Sequence, residues 1–591
     1  MDVTSYYKNR IEEFSKLESH YFNKEKKIPF IRLAIIIFSI LFFYIIFSFN
    51  IFIAIAFLVV AIVGFIIVVK YDDSLISKNK YYNNLKIINE KELKHIENNE
   101  YSYPNGSSYI NNEHWYSSDL DLFGNFSLFQ YINRTTLKFS SDILADWLLN
   151  KANNEEIKLR QESILELKNK INWRQDLIIA GLKNNAENND VQKILGWIKE
   201  PSVFINKKSF ILVCKVLPVI TIISITLSFV YIPVVISILL VFLHLLIFNN
   251  TKNNIKIIHA QVSKNVNLLK AYTDIISVIE KEKFQSQTLQ LLCNNIKNAS
   301  QSIKYLTKIL NNLDFRFNIL VHPIINTLFL FDFHNVVKLE RWKQNNVHNT
   351  VKWFLSVGEF EVLSSFANLS FNNPDWVFPK ISAHHFIIKA KNIGHPLLNQ
   401  KQRVCNDFEL TGNSKINLIT GSNMSGKSTF LRTVGLNIVL ASIGSCVCAK
   451  EFVLSPIQVL TSMRINDSLE ENTSSFFAEL KRIELIIKLT EQKEKVFLLL
   501  DEILRGTNSN DRHIGSIALI KQLIKNEAIG IVATHDIPLS ELSLELPNNI
   551  ENFNFDVKVN DNELFFDYKL NNGICKSLNA SILMRKMGIK I

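Results

Sequence analysis

The sequence predicts a multidomain chain: helical membrane hairpins, an α-helical core or lever arm, and a C-terminal α/β domain with a P-loop. Three observations support this: a length of 591 residues, two long uncharged apolar runs, and a change after about Ile381 to short apolar strands alternating with helices. At about 150 residues per domain, the length corresponds to about four domains. Hydrophobic residues make up 47% of the chain and charged residues 20%, which excludes a disordered protein.

The net charge and the cysteines say more about the cellular compartment of the protein than about its function. The 66 basic and 55 acidic residues give a net charge of +11. This excess is compatible with binding to nucleic acid, with an anionic membrane surface, or with cytoplasmic flanks of membrane spans. The six cysteines are scattered, with no CxxC pair and no zinc-like spacing. We therefore expect reduced thiols and a cytoplasmic main body.

Two uncharged runs predict two transmembrane hairpins. The first, Leu33 to Val69, has 37 residues and would extend about 55 Å as one helix, so we divide it at Phe49-Asn50 into two spans within residues 28–70. The second, Val216 to Phe248, breaks near Pro233 and defines a hairpin at residues 209–250. The alternative is a pair of buried core helices in a soluble protein.

The flanking charges predict the orientation of these four spans. Lysine and arginine flank both hairpins, while both hairpin tips are uncharged. The positive-inside rule then puts the N-terminus, the segment between the hairpins and everything after Lys252 in the cytoplasm. The prediction is a multi-pass protein of the cytoplasmic (inner) membrane. Twenty-seven mostly polar residues precede the first hairpin, which argues against a cleavable signal peptide.

The remaining segments are assigned by their periodicity. Apolar residues at three- and four-residue spacing predict helices between and after the hairpins. We expect strands at Ile416–Thr420, Val496–Leu500 and Ile529–Thr534, forming a parallel sheet with crossover helices such as Phe476–Leu489 and Ile514–Lys525. The predicted segments outside the hairpins are a cytoplasmic N-terminal segment (1–27), a cytoplasmic linker (71–118), a helical core in two parts (119–208 and 251–380) and the α/β domain (381–591).

The strongest motif lies directly after the first of these strands. Eight residues fit GxxxxGK[ST] and precede a helix that starts near Thr429: Gly421, Ser422, Asn423, Met424, Ser425, Gly426, Lys427 and Ser428. In such a loop the backbone N–H groups surround the phosphates of a nucleotide. Lys427 would reach the β- and γ-phosphate oxygens, and the Ser428 hydroxyl would ligate Mg²⁺. The motif therefore predicts ATP and Mg²⁺ as ligands.

Two further strand ends carry candidate catalytic residues. The strand at Val496–Leu500 is followed by Asp501, which could hold the Mg²⁺ shell, and by Glu502, which could polarise the attacking water. The next strand ends in Thr534 and His535, whose imidazole could sense the γ-phosphate. The alternative for His535 is an ordinary histidine of a surface loop.

These motifs together resemble the ATPase domain of the MutS family of DNA mismatch-repair proteins. The resemblance rests on Thr420–Thr429, on Asp501 to Thr507 with its Arg-Gly-Thr, and on Ala533-Thr534-His535. Further matches are Gly394-His395-Pro396, Ser474-Ser475-Phe476 with Glu479, Ser577 to Gly588, and, in the helical core, Leu128 to Thr136, Trp147-Leu148-Leu149, Ile157 with Arg160-Gln161, and Glu361-Val362-Leu363. It covers roughly Asp119–Ile194 and Leu339–Ile591.

The resemblance implies an ATPase of ABC-like architecture. It would be a homodimer formed through the ATPase domains, with nucleotide sites completed across the interface and coupled by helical levers to DNA. Mismatched or unusual DNA is the implied ligand, and DNA mismatch repair is the implied process.

The sequence also departs from the family. Residues 1–118 hold a membrane hairpin where the family has a mismatch-reading domain, and the second hairpin occupies the lever and clamp region. Glu471 and Asn472 replace the serine and glycine expected in the loop that reaches the partner's nucleotide. We also expect no C-terminal helix-turn-helix segment after Ile591.

Other function classes stay open. One is a membrane-anchored nucleotide switch without significant turnover, and another is a transporter-like ATPase with no role in mismatch repair. The spans contain few ionisable residues, chiefly His244, which argues against a transporter. Lys481 and Arg482 are expected to lie on a solvated helix face. The alternative is that they contact DNA phosphates.

Overall fold

The computed structural model describes residues 2–184, 191–318, 320–382, 386–422, 424–464, 475–492, 495–560 and 563–575. The chain divides into two compact units, Met1–Ser102 and Tyr103–Ile591. It is mostly helical, with mixed β-sheets in its C-terminal part.

The first unit consists of three helices: α1 (Val3–Glu25), α2 (Ile28–Phe47) and α3 (Ile51–Asn98). The chain turns between α2 and α3 at Asn50, whose side chain caps α3 by accepting the N–H of Phe52 at 2.9 Å. This is the turn that the sequence predicts. Near it, apolar side chains are exposed, including Phe49 (85% exposed) and Phe52 (80% exposed).

Helix α3 continues well beyond the predicted span end at Val69. Residues 71–98, expected to begin a linker, are helical because their apolar side chains recur at helical spacing and pack against α1. Ion pairs fix α1 antiparallel to α3: Lys8 to Glu97 at 2.7 Å and Glu18 to Lys86 at 3.1 Å. Helix α1 and residues 71–98 of α3 therefore form a pair of antiparallel helices, which we call the stalk.

The described residues of the second unit begin with twelve α-helices. They are α4 (Leu128–Ile132), α5 (Lys138–Leu149), α6 (Asn154–Lys168), α7 (Ile171–Leu182), α8 (Val191–Lys199), α9 (Lys208–Leu227), α10 (Val234–Ser263), α11 (Val266–Glu280), α12 (Gln287–Asn295), α13 (Ala299–Asp314), α14 (His322–Phe329) and α15 (Phe331–Asn372).

The two predicted parts of the helical core pack on each other through the long helix α15. The buried carboxylate of Glu361 in α15 accepts the N–H of Thr136, just before α5, at 3.0 Å. Burial raises the pKa of Glu361, while its hydrogen bonds with Ser140 and Thr136 act in the opposite direction. Trp173 of α7 lies edge-on to Phe284 and near Phe360 of α15, which adds apolar contact to this polar joint.

Helices α9 and α10 form the second apolar hairpin, turning before Pro233 as the sequence predicts. Polar side chains join the two helices: the Ser224 and Ser237 hydroxyls are 2.8 Å apart, and the Thr221 hydroxyl is 3.1 Å from His244 Nε2. The described residues contain four helical segments long and apolar enough to cross a membrane: Val3–Phe47, Ile51–Asn98, Lys208–Leu227 and Val234–Ser263.

The C-terminal part contains two sheets. The strands are β1 (Lys380–Ile381), β2 (Ile387–Ile393), β3 (Asn406–Thr411), β4 (Ile416–Gly421), β5 (Glu451–Leu454), β6 (Gln458–Ser462), β7 (Val496–Asp501), β8 (Ile529–Thr534), β9 (Ile550–Asn560) and β10 (Glu563–Asn572). The helices are α16 (Lys427–Ser442), α17 (Ser475–Glu491), α18 (Ser509–Lys525) and α19 (Leu542–Glu545).

The larger sheet has the order β10-β9-β4-β8-β7-β6, parallel except for the antiparallel pair β9 and β10. The three strands predicted from the sequence, β4, β7 and β8, lie at its centre and are buried along their whole length. Since parallel strands end at one edge, this arrangement brings the ends of β4, β7 and β8 together. The smaller sheet, ordered β1-β5-β2-β3, was not predicted.

Candidate functional site

The GxxxxGKS loop joins the buried strand β4 to helix α16. Gly426 has φ +105°, a left-handed conformation that glycine adopts without strain, and Met424 has φ +70°. A Cβ atom on Gly426 would lie 3.0 Å from Cδ1 of Tyr568 in β10, so this glycine also permits a close approach. Asn423 lies outside the described residues.

Lys427, the first residue of α16, is oriented back across the loop. Its Nζ donates to the carbonyl oxygens of Gly421 at 2.7 Å and Ser422 at 2.9 Å. Burial lowers the pKa of the ammonium, and the nearby carboxylates of Glu502 and Asp501 act in the opposite direction. A buried cation at the start of a helix favours an anionic ligand.

Ser428 and Asp501 face each other at the ends of α16 and β7. Burial raises the pKa of Asp501, and a hydrogen bond with the Ser428 hydroxyl opposes that rise. Within the described part of the chain, Asp501 Oδ1 is buried without a hydrogen-bond partner, as is Ser425 Oγ of the loop. Buried oxygens of this kind cost free energy unless a ligand completes them. Hard oxygen donors suit Mg²⁺, so Ser428 and Asp501 fit the ion that the sequence predicts.

Glu502 lies at the turn after β7 in a left-handed conformation, with φ +50°. Its N–H donates to the carbonyl of Ala533 at 2.8 Å, which ties the turn to β8. Its carboxylate Oε1 is 3.4 Å from His535 Nδ1, and its Oε2 is 3.2 Å from Arg505 Nε. The structure thus brings Glu502 and His535, which are 33 positions apart in the sequence, to one place.

Arg505 is a site residue to which sequence reasoning gave no role. Besides contacting Glu502, its Nη2 donates to the Asp501 carbonyl at 3.3 Å and lies 3.8 Å from Asp501 Oδ2. Two sequence signals involved it: the Arg-Gly-Thr of the family resemblance, and a cation three and four residues after two acids. This geometry makes Arg505 a positioning residue for both carboxylates.

Glu479 of α17 stabilises the turn that follows β7. Its carboxylate accepts the N–H of Leu504, a residue at φ +61°. Burial raises the pKa of Glu479, while the backbone N–H groups of Leu504 and Arg505 act in the opposite direction. A carboxylate that holds a left-handed backbone in place fixes the direction of the neighbouring side chains.

A cavity of about 480 Å³ opens beside the loop. Its polar side carries Lys427, Ser428 and Glu502, and the walls added by the fold include His395, Asn406, Phe430, Phe555 and Tyr568. Asn406 holds the Tyr568 segment by donating to its carbonyl at 3.1 Å and accepting the N–H of Leu570 at 3.0 Å. The sequence did not predict Tyr568 at this site, because this residue reaches the loop through the pairing of β10 with β9 and of β9 with β4.

The helical core contacts the site domain at Asp119. The Asp119 carboxylate accepts the Thr461 hydroxyl at 2.6 Å and the N–H of Arg464 at 2.9 Å. Its carbonyl accepts Nε of Arg432, on α16, at 3.0 Å. The helix that begins with Lys427 is therefore attached directly to the helical core.

The other predicted residues have different outcomes. Arg482 is neither on a solvated face nor free for phosphates, since it donates to the carbonyls of Thr461 at 3.0 Å and His114 at 2.8 Å. Lys481 Nζ lies 5.1 Å from the ring centre of Phe477. Glu471, Asn472, Ser474 and Ser577–Gly588 lie outside the described residues.

Comparison with known proteins adds a family to this geometry. Residues 417–586 match the family model described as MutS domain V. Mouse MutS protein homolog 4 is 31% identical over 258 residues, which cover 42% of this chain and 26% of the relative. The DNA mismatch repair protein MutS of Thermotoga petrophila is 34% identical over 190 residues, covering 32% and 24% respectively.

A similar match is the DNA mismatch repair protein MutS of Fusobacterium nucleatum, 34% identical over 219 residues, or 36% of this chain and 24% of the relative. The chain spans about a quarter of the length of the curated relatives it matches. The matched domain contains Lys427, Asp501, Glu502 and His535. Residues 417–586 are therefore a domain of the MutS family, as the sequence motifs predicted.

Proposed function

We propose that the chain is a membrane-anchored MutS-like ATPase that binds and hydrolyses ATP with Mg²⁺. The observation that carries this proposal is the cavity lined by Lys427, Ser428 and Glu502 at the end of a P-loop, with Asp501 hydrogen-bonded to Ser428 behind it. Buried Asp501 Oδ1 and Ser425 Oγ, which lack hydrogen-bond partners among the described residues, support it because a nucleotide with its metal would supply partners.

Each residue has a distinct task in this proposal. Lys427 would exchange its contacts with the loop carbonyls for the β- and γ-phosphate oxygens. Ser428 and Asp501 would hold Mg²⁺, which neutralises developing charge on the phosphates when bound. Glu502 would accept a hydrogen bond from the water that attacks the γ-phosphorus, and His535 and Arg505 would fix its carboxylate.

DNA is the proposed ligand of the whole protein. Relatives that match this chain are named DNA mismatch repair proteins. We propose mismatched or otherwise unusual DNA as the ligand, mismatch repair as the process, and a homodimer through the ATPase domains. The contact of Asp119 with both Arg432 and Arg464 supplies a route by which nucleotide binding would move the helical core.

A bilayer is the proposed surrounding of the four apolar helices. Their apolar side chains are exposed, as for Phe52 and for Leu239 (62% exposed), which is costly in water and favourable in lipid. Lysines flank both hairpins, so we propose a multi-pass protein of the cytoplasmic membrane with its ATPase domain in the cytoplasm.

The test is ATP hydrolysis by the full-length, detergent-solubilised protein. Turnover is measured without DNA, with matched duplex and with mispaired duplex at one physiological salt concentration, since phosphate contacts weaken as salt rises. Stimulation by mispaired above matched DNA is the expected result. Turnover that ignores all DNA would contradict the DNA part of the proposal.

A carboxylate variant separates an ATPase from a nucleotide switch. In Glu502→Gln we expect turnover to fall by about 10²–10⁴-fold while ATP still binds. The matched control is Glu409→Gln, an exposed carboxylate on β3 of the same domain. A wild type with no turnover above the Glu502→Gln variant would identify a switch instead.

A further inference from the structure

The segment that links α13 to α15 carries an apolar surface that the hairpin prediction did not include. The 15 residues from Phe317 to Phe331 contain no Lys, Arg, Asp or Glu. Six of the large apolar side chains around α14 are exposed: Phe315, Phe317, Leu320, Val321, Ile324 and Phe329. We call these six residues the α14 surface. At about 1.5 Å per residue, 15 residues reach only about 22 Å, too short to cross a bilayer.

Helix α14 has the polarity of a lipid-facing helix. Within the helix, Ile324 is 62% exposed and Asn326 3% exposed; in the residues that flank it, Leu320 is 82% exposed and Asp332 1% exposed. A helix on a water-facing surface has the opposite arrangement, with polar residues outward. Two contacts hold the inward polar groups: Asn326 Oδ1 accepts the N–H of Asp332 at 3.0 Å, and His322 Nε2 lies 2.9 Å from Asp332 Oδ2, while Asp332 Oδ1 is buried without a hydrogen-bond partner among the described residues. The polar side chains thus lie toward the protein, and the apolar side chains lie outward.

The contacts of α14 place it beside the second hairpin at a definite depth. His244 Nδ1 is 2.7 Å from the carbonyl oxygen of Thr327 in α14. His244 lies ten residues after Val234, the first residue of α10 after the turn, so it is about 15 Å from the tip. In a hydrocarbon core of about 30 Å that is close to the midplane.

The other end of the segment lies at the cytoplasmic side of the same hairpin. His322, at the start of α14, packs near Phe248, with 6.3 Å between the ring centres. Phe317 packs near His259, which lies 25 residues after Val234 and so about 37 Å from the tip. The segment thus descends along α10 from the interface toward the midplane, and Phe317 has the position of an aromatic interface anchor.

We propose that α14 enters the bilayer from the cytoplasmic side as a short re-entrant helix, with the α14 surface in contact with lipid acyl chains. The inference rests on the proposed membrane location of the second hairpin. The occupant is lipid because the surface is continuous with the exposed apolar face of that hairpin. A second copy of the chain or cytoplasmic water is the outcome that the experiment must exclude.

The experiment measures depth in full-length protein reconstituted into phosphatidylcholine and phosphatidylglycerol vesicles. An environment-sensitive fluorescent amino acid replaces one residue at a time by amber suppression, which leaves the native cysteines unchanged. The test positions are Leu320 and Ile324. Leu239 on α10 is the lipid reference, and Leu291 on α12, 57% exposed, is the water reference. Quenching is measured with nitroxide on the acyl chains and with iodide in the buffer.

We expect the lipid nitroxide to reduce emission at Leu320 and Ile324 as much as it does at Leu239. Iodide should reduce emission at these two positions only slightly. Iodide quenching like that at Leu291 would overturn the inference by showing a water-facing helix. Resistance to both quenchers would overturn it in favour of a protein partner. A failure of the lipid nitroxide at Leu239 itself would overturn the membrane proposal, which separates the two failures.

Discussion

The cavity beside Lys427 and the apolar hairpins differ in which groups they leave without a favourable contact. At the cavity, buried polar atoms such as Asp501 Oδ1 lack partners within the described residues. At the hairpins, apolar side chains such as Phe52 and Leu239 are exposed. Both arrangements are costly for a protein alone in water. The difference matches the two surroundings that we propose, a charged ligand at one region and a hydrocarbon solvent at the other.

The substitution with the largest expected effect disrupts the cavity and leaves the hairpins intact. In Lys427→Ala we expect ATP affinity to fall by about 10²–10³-fold, because the buried ammonium that would contact the phosphates is lost. Equilibrium binding of a fluorescent ATP analogue measures the change. The control is Lys450→Ala, an exposed lysine of the same domain. Recovery in the membrane fraction should be equal for both variants, and unaltered ATP affinity would contradict the assignment of Lys427.

A smaller effect compares one residue type in the two regions. Leu498 in β7 is 1% exposed and Leu239 in α10 is 62% exposed. We expect Leu498→Ala to destabilise the sheet domain by about 2–5 kcal/mol, because it leaves a cavity. Leu239→Ala removes contacts only with the surroundings, so thermal unfolding in detergent should show a shift close to zero. Equal shifts would mean that Leu239 is packed against protein.

The next effect concerns a half-buried base in the cavity wall. Burial lowers the pKa of His395 to about 4, so the folded state holds this imidazole neutral. The unfolded chain takes up the proton near the ordinary value of 6.5, so stability falls as pH drops from about 6.5 to 4 and then levels off. The loss is at most about 3 kcal/mol.

Unfolding midpoints measured from pH 7 to pH 4 test this loss. His395→Gln should flatten the profile, whereas His348→Gln, at an exposed position, should leave it unchanged. Parallel profiles for the wild type and the His395 variant would show that another group carries the pH dependence.

The smallest expected effect lies within the cavity. In Arg505→Ala we expect turnover to fall by about tenfold with ATP affinity unchanged, since the 3.2 Å contact that holds Glu502 is lost while the loop is intact. Steady-state kinetics with a separate binding measurement distinguishes the two quantities. An equal fall in affinity would place Arg505 on the nucleotide instead of on the carboxylate.

The parts of this structure that the sequence predicted are those encoded by neighbouring residues. Strands β4, β7 and β8 are short apolar runs, and the loop before Lys427 is a contiguous motif, so both could be located from local pattern. The hairpin turn at Asn50 follows from a single polar residue between two long apolar runs.

The parts that could not be predicted depend on contacts between distant residues. Tyr568 is 142 positions after Gly426, and nothing in its own surroundings indicates that its ring covers the loop. Arg482 was interpreted from its helix alone, although its partners Thr461 and His114 belong to other segments. The smaller sheet was missed because its strands mix polar with apolar residues and lack the continuous apolar runs that marked β4, β7 and β8.

The unbroken helix α3 sets a length as well as an anchor. From Val69 to Asn98 it extends 29 residues, or about 44 Å, beyond the proposed bilayer core, and α1 stiffens it along this distance. The stalk therefore fixes the distance between its two ends and the rotation of one end relative to the other. Matched insertions of seven residues in α1 and α3 would lengthen it by about 10 Å and nearly preserve the phase, whereas five would turn its far end by about 140°.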